Sequence, residues 1–107
     1  IIANGQLVNV DMVSNRVAML GFGPEKVVLV AGQNKVVSDL PSAVGRIKNI
    51  AAPMNTKRLK MDTPCVETGK CMNCDSPQRM CVHWSIMEKC FPKHRICVIL
   101  VEENLGF

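Results

Sequence analysis

The chain has 107 residues, a length that predicts one domain or part of one. Its 48% hydrophobic content excludes a disordered chain, and its formal net charge of +4 is too small to indicate a nucleic-acid-binding protein. No apolar run is long enough to span a membrane and no signal peptide is visible, so we expect a cytoplasmic protein. Because the chain begins at Ile1, directly in apolar sequence, we also expect it to be a fragment of a larger one.

The first part of the chain predicts three strands. Residues 6–10 mix polar and apolar side chains as a half-buried strand does. Residues 16–20 follow a polar break and read as a second strand, so we expect the two to form a hairpin. Residues 26–32 are the clearest strand, because their continuous Val-rich run is typical of burial on both faces in a sheet that helices cover.

A helix is predicted to begin after Ser38 or Asp39, since either side chain can accept a hydrogen bond from the free amides of a first helical turn. Apolar residues recur at helical spacing and predict one face that packs on the sheet: Leu40, Val44, Ile47 and Ala51. Pro53 is expected to end or kink this helix, and residues 54–61 then form a second, short one.

Two further strands, residues 82–87 and 96–101, are predicted to form a terminal β-hairpin. Strands that alternate with helical segments indicate the α/β fold class. The chain then divides into an α/β core portion, a Cys-rich loop and the terminal hairpin, with the bounds 1–62, 63–81 and 82–107.

Four cysteines lie within seventeen residues, with the spacing Cys-x5-Cys-x2-Cys-x6-Cys. They are Cys65, Cys71, Cys74 and Cys81. The residues among them are mostly turn formers, and thiols on such a loop are poor core material and good metal ligands. Disulfides are disfavoured, because the cysteines are crowded together and an α/β core needs no covalent cross-links for stability. The sequence therefore predicts a four-cysteine metal site.

Iron–sulfur clusters and zinc ions are the two candidates for this site. One ferredoxin family uses Cys-x4-Cys-x2-Cys with a distant fourth ligand, which is close to the spacing here. Structural zinc sites more often pair two short-spaced couples, and this loop has one, Cys71 and Cys74. The spacing thus favours an iron–sulfur cluster of the 4Fe-4S type, with zinc as the alternative. Cys97 is interpreted as a small core residue, and Cys90 is left unassigned.

A small anionic metabolite is a second candidate ligand. Lys35 follows the strand of residues 26–32 at its carboxyl end, the edge of an α/β sheet at which ligands collect. With Asp11, Asn15 and Arg16 it forms the candidate binding set. In this hypothesis the metal has only a structural role and stabilises the loop.

A family resemblance is carried mainly by the cysteine segment, Thr63-Pro64-Cys65 followed by Gly69-Lys70-Cys71-x-x-Cys74-x-Ser76-Pro77-x-Arg79-x-Cys81. It is also carried by the motifs at residues 8–11, 15–18, 22–24 and 51–53. Together these resemble the C-terminal part of LUD-domain proteins, named for lactate utilisation, and specifically a cysteine-containing subgroup.

The resemblance implies a Rossmann-like fold similar to the sugar-isomerase and CoA-transferase group. It also implies a link to systems that oxidise L-lactate to pyruvate through iron–sulfur subunits, and hence redox partner proteins and a homo-oligomer among the expected partners. A CoA-transferase-like enzyme is a further alternative. No glutamate stands in a motif that marks it as catalytic, so whether the protein is an enzyme, and through which residues, stays open.

Overall fold

The structure is a computed structural model that describes residues 1–107. Helices and strands alternate along the chain, which confirms the α/β class. The strands are β1 (Leu7–Asp11), β2 (Val27–Gly32), β3 (His83–Met87) and β4 (Ile96–Val101). The helices are α1 (Asn15–Gly21), α2 (Leu40–Arg46), α3 (Ala52–Arg58) and α4 (Pro64–Thr68). No helix is both long enough and apolar enough to cross a membrane.

The four strands form two separate two-stranded sheets. β1 pairs with β3 in antiparallel orientation, and β2 pairs with β4 in parallel. The expected terminal hairpin of residues 82–107 is therefore wrong, because β3 and β4 belong to different sheets. The expected hairpin of residues 6–10 with 16–20 is also wrong, since the second segment is the helix α1.

Asp11 explains why α1 is a helix. Its buried carboxylate accepts hydrogen bonds from the backbone amides of Arg16 at 2.9 Å and Val17 at 2.8 Å. These are amides of the first helical turn, which have no partner within the helix. The carboxylate also forms an ion pair with the Arg16 side chain. The end of β1 thus supplies the N-terminal cap of the helix that follows it.

Arg95 fixes the start of β4 beside the start of β2. Its buried guanidinium donates to the carbonyl oxygens of Leu20 at 2.6 Å, Met19 at 2.8 Å and Pro24 at 2.8 Å. Two of these carbonyls lie in the last turn of α1, where they have no partner within the helix. The backbone carbonyl of Arg95 in turn accepts from the Val27 amide at 2.9 Å, so the parallel sheet begins at this residue.

The predicted helix begins at Leu40 with Asp39 as its N-cap, which confirms the start read from the sequence. Helical structure then continues from α2 through a π-helical turn, Ile47–Ala51, into α3. Pro53 lies in the first turn of α3, where its missing amide is tolerated. The helix therefore does not end at this proline as expected, and it changes from π-helical to α-helical just before it.

Burial is sparse, and 14 of the 107 residues are buried. The core cluster is Ile2, Val8 and Ala43, with Trp84 among the side chains packed against it. β2 was expected to be buried on both faces, which is wrong, because Val28 and Val30 are 57% and 61% exposed. With only β4 beside it, β2 presents one apolar face to solvent.

The end of the chain returns over the loop that follows β2. Asn34 donates from its side-chain amide to the Gly106 carbonyl at 3.1 Å and accepts from the Leu105 amide at 3.2 Å. A Cβ on Gly32 would lie 2.4 Å from the Glu103 carbonyl oxygen and the Leu105 nitrogen. Glycine is therefore required at the end of β2, because any side chain would collide with backbone. This contact holds the loop that contains Lys35.

Replacement of Asp39 by asparagine is expected to remove a pH-dependent part of the stability. Hydrogen bonds from the Ser42 side chain and amide, and then from Ser38, lower the pKa of Asp39. A carboxylate whose pKa is lower in the folded chain stabilises fully above its unfolded pKa, about 3.9, and loses that contribution as the pH falls through the folded value. In urea unfolding, the free energy of unfolding of the wild type should exceed that of the variant at pH 7, and this difference should disappear below about pH 4. A difference in free energy of unfolding that is the same at both pH values would contradict this. So would an equal pH-dependent difference for the loop control Asp75→Asn.

Candidate metal centre

The cysteine segment lies between α3 and β3. Cys65 stands on the short helix α4, which has Pro64 in its first turn. Gly69 ends this helix with a positive φ of 69°, a conformation that glycine adopts without a Cβ penalty. The other three cysteines follow on irregular chain, so one of the four stands on a helix and three stand on the loop.

All four predicted metal ligands line one pocket. Cys65, Cys71, Cys74 and Cys81 are free thiols, and each is half-buried. No three His, Cys, Asp or Glu side chains in the structure form a group that could hold a metal ion. The structure thus brings the four cysteines to a common pocket, while the metal site itself stays a prediction.

Arg79 ties the cysteine loop together. Its guanidinium donates to the Cys74 carbonyl at 2.6 Å, to the Cys81 carbonyl at 3.0 Å and to the Asn73 side-chain oxygen at 3.4 Å. One planar cation therefore fixes the backbone on both sides of the pocket. Lys48 also lines the pocket, so two cations stand beside the four thiols. Neither cation was assigned to the site from the sequence, because Arg79 acts on backbone and Lys48 comes from the helical segment before α3.

Polar groups also approach the sulfur atoms. The Thr56 hydroxyl lies 3.4 Å from the Cys65 sulfur, and the Thr63 hydroxyl lies 3.2 Å from the same atom. The Asn73 amide donates to the Cys71 sulfur at 3.3 Å. Hydrogen bonds of this kind stabilise negative charge on sulfur and tune the potential of thiolate-bound clusters.

Burial raises the pKa of the Cys81 thiol. The neighbouring Cys71, Cys65 and Cys74 raise it further, whereas Arg79 lowers it. The other three thiols are thus close enough to Cys81 for their charges to interact with it. A metal would have to displace the Cys81 proton, because the thiolate is the form that ligates.

The donor set fits a soft-ligand metal centre. Four thiolates are the usual ligands of an iron–sulfur cluster, and many structural zinc ions are also held by four cysteines. The pocket that the cysteines line has a volume of about 20 Å³, comparable to one water molecule or one ion. Because no three of these side chains are grouped to hold a metal, either centre would need the loop to rearrange.

The remaining two cysteines lie outside this pocket. Cys97 is exposed on β4, so its interpretation as a core residue is wrong. Cys90 donates from its sulfur to the Pro92 carbonyl at 3.2 Å and accepts from the Ile96 amide at 3.3 Å. Cys90 therefore shapes the turn that leads into β4.

A large groove adjoins the cysteine pocket, with a volume of about 710 Å³. It brings together all four residues of the predicted anion-binding set, Asp11, Asn15, Arg16 and Lys35. Two cations that the sequence did not single out, Arg46 and Arg58, also line it. Arg58 belongs to a short basic run that resembles an ordinary solvated helix end, and Arg46 belongs to no motif. Only the fold shows that they share a groove.

Residues 1–101 match the family model of the LUD domain. The chain therefore belongs to the LUD-domain family, which confirms the resemblance carried by its motifs. No curated protein and no solved structure matches the chain significantly.

Proposed function

We propose that this LUD-domain protein holds an iron–sulfur cluster on Cys65, Cys71, Cys74 and Cys81 and serves in redox metabolism. The observation that carries the proposal is the convergence of these four free thiols on one pocket. Four ligands with a single short-spaced couple are more typical of iron–sulfur than of zinc. A cluster in this place would supply one-electron transfer, as such centres generally do.

The surrounding side chains suit such a centre. A cluster together with its four thiolates has a net negative charge, because the iron and sulfide core offsets only part of the thiolate charge. Lys48 and Arg79 bring positive charge to the pocket. The Asn73 amide donates to the Cys71 sulfur, which favours the reduced, more negative state, and the Thr63 hydroxyl lies within hydrogen-bond distance of the Cys65 sulfur. Arg79 also binds the backbone carbonyls of Cys74 and Cys81, so part of the loop is ordered by the protein itself.

The link to L-lactate utilisation rests on the family name and belongs to this proposal. The proposal also includes a Rossmann-like arrangement of the CoA-transferase and sugar-isomerase kind, a homo-oligomer, redox partner proteins and a cytoplasmic setting that keeps the thiols reduced. In this role the protein would accept or donate electrons for the oxidation of a small 2-hydroxy acid, with the chemistry of the substrate carried out by a partner.

A structural zinc ion is the second candidate, and the small space between the cysteines favours it. About 20 Å³ suits one ion more readily than a cluster. Zinc would give the loop rigidity without redox chemistry.

Metal and sulfide analysis of full-length protein purified without oxygen tests the proposal. We expect about four iron and four acid-labile sulfide per chain, with broad visible absorption that bleaches on reduction. Colourless protein with one zinc per chain would reject the iron–sulfur centre and retain the four-cysteine site. Protein that binds neither metal would reject both candidates.

A further inference from the structure

The groove beside the cysteine pocket has the size and character of a ligand site. Its volume of about 710 Å³ lies within the range of about 300–1,000 Å³ that is usual for small-molecule pockets. Hydrophobic residues make up 18 of the 26 that line it. A ligand that fills it would therefore bury an apolar portion.

The charge of the groove is positive. Its charged lining residues are four basic and one acidic, a net charge of +3. The acidic one, Asp11, is already committed to the Arg16 side chain and to two backbone amides. This is the only ion pair in the structure. Lys35, Arg46 and Arg58 are thus left without a carboxylate partner.

Two of these cations are held in place by neutral groups. Arg46 donates from Nε to the Asn34 carbonyl at 2.7 Å. Arg58 donates from Nε and Nη2 to the Asn55 side-chain oxygen at 3.1 and 2.7 Å. A guanidinium has five N–H groups, so both keep donors for a further acceptor. Neutral partners orient these side chains and do not cancel their charge.

We propose that the groove binds a small organic anion with an apolar portion and at least two negative charges, as carboxylate or phosphate. Lys35, Arg46 and Arg58 are its charge-recognition residues, and Asp11 and Arg16 form a neutral pair that shapes the wall. Ala52, Met80 and Cys81 line both this groove and the cysteine pocket, so the anion lies directly beside the cysteines. The proposal does not depend on which metal, if any, the cysteines hold.

Titration calorimetry on the full-length protein tests this site with two probes, adipate as a dicarboxylate and hexyl phosphate as a phosphate. At low ionic strength we expect at least one of them to bind, more tightly than the monoanion hexanoate and less tightly as salt is added. The probe that binds distinguishes a carboxylate from a phosphate ligand. Absence of binding by both probes at low salt, or equal binding of hexanoate, would overturn the proposal.

Charge-removing variants locate the site. Arg58→Gln and Arg46→Gln are each expected to weaken binding of the responding probe about tenfold or more. Arg58 is exposed, so its variant tests the site without disturbing buried structure. Lys93→Gln, at an exposed position outside the groove, is the matched control and should bind as the wild type does. An equal loss in this control, or no loss in either arginine variant, would place the anion elsewhere and overturn the assignment.

The metal proposal and the anion proposal are separable in the Cys71→Ser variant. Cys71 lines the cysteine pocket and does not line the groove. Anion binding within about twofold of the wild type is expected in this variant. Its complete loss would overturn the independence of the two sites, and failure of metal binding alone would leave the groove assignment intact.

Discussion

Replacement of Cys71 by serine is expected to remove the visible absorption and most of the bound iron. Cys71 lines the pocket with the other three cysteines, and its sulfur accepts a hydrogen bond from the Asn73 amide. Serine retains the size of the side chain and loses the thiolate, the soft ligand on which a four-cysteine iron–sulfur or zinc site depends. The measurement is iron, zinc and sulfide content together with the visible spectrum of protein purified without oxygen.

Cys97→Ser is the matched control for this experiment. Cys97 is exposed on β4 and lies outside the cysteine pocket, so the same chemical change should leave metal content and colour unchanged. If Cys71→Ser kept full metal content, or if Cys97→Ser lost as much, the four-cysteine assignment would be wrong.

Replacement of Arg95 by methionine is expected to lower the free energy of unfolding by about 3 kcal/mol. The variant keeps an apolar stem and removes donors to three carbonyl oxygens, those of Met19, Leu20 and Pro24. Two of these belong to the C-terminal turn of α1, which also loses a cation that is favourable at a helix C-terminus. Urea unfolding followed by circular dichroism measures the change.

Two comparisons make this prediction specific. Arg95→Lys should recover only part of the loss, because an ammonium group cannot reach three carbonyls with the geometry of a planar guanidinium. Lys93→Met removes a cation from an exposed position two residues away and should change stability by less than about 0.5 kcal/mol. Equal effects at the two positions would show that the buried hydrogen bonds of Arg95 contribute little.

Local signals predicted much of the fold. β2 and β4 are continuous Val- and Ile-rich runs, and the helix after Asp39 has its cap and its apolar spacing within a few residues. Such features depend on neighbours in sequence, and so a single chain reveals them.

Tertiary hydrogen bonds that a residue pattern does not show account for the errors. Residues 16–20 look like a strand until the buried Asp11 carboxylate is seen to cap their first turn. β3 and β4 look like a hairpin because they are consecutive, yet Arg95 docks onto α1 and directs β4 to the side of β2. The first outcome depends on a side chain just before the helix, and the second depends on contacts between segments that lie far apart in the sequence.

The candidate site, like the fold, was predicted only in part from the sequence. Cysteine spacing identified the four thiols that share a pocket, because ligands of one metal are often close in sequence. The cations around them and in the groove, Lys48, Arg79, Arg46 and Arg58, have no spacing signature. They are brought to the site by the helical segments and the loop, and only the structure could identify them.

The three hydrogen bonds of Arg79 also bear on how the protein is assembled and repaired. They hold the backbone at Cys74 and Cys81 through protein groups alone, so part of the entropy of ordering the loop is lost during folding. If the proposed cluster were lost by oxidation, these hydrogen bonds would remain, and the loop would keep that part of its order for a new cluster.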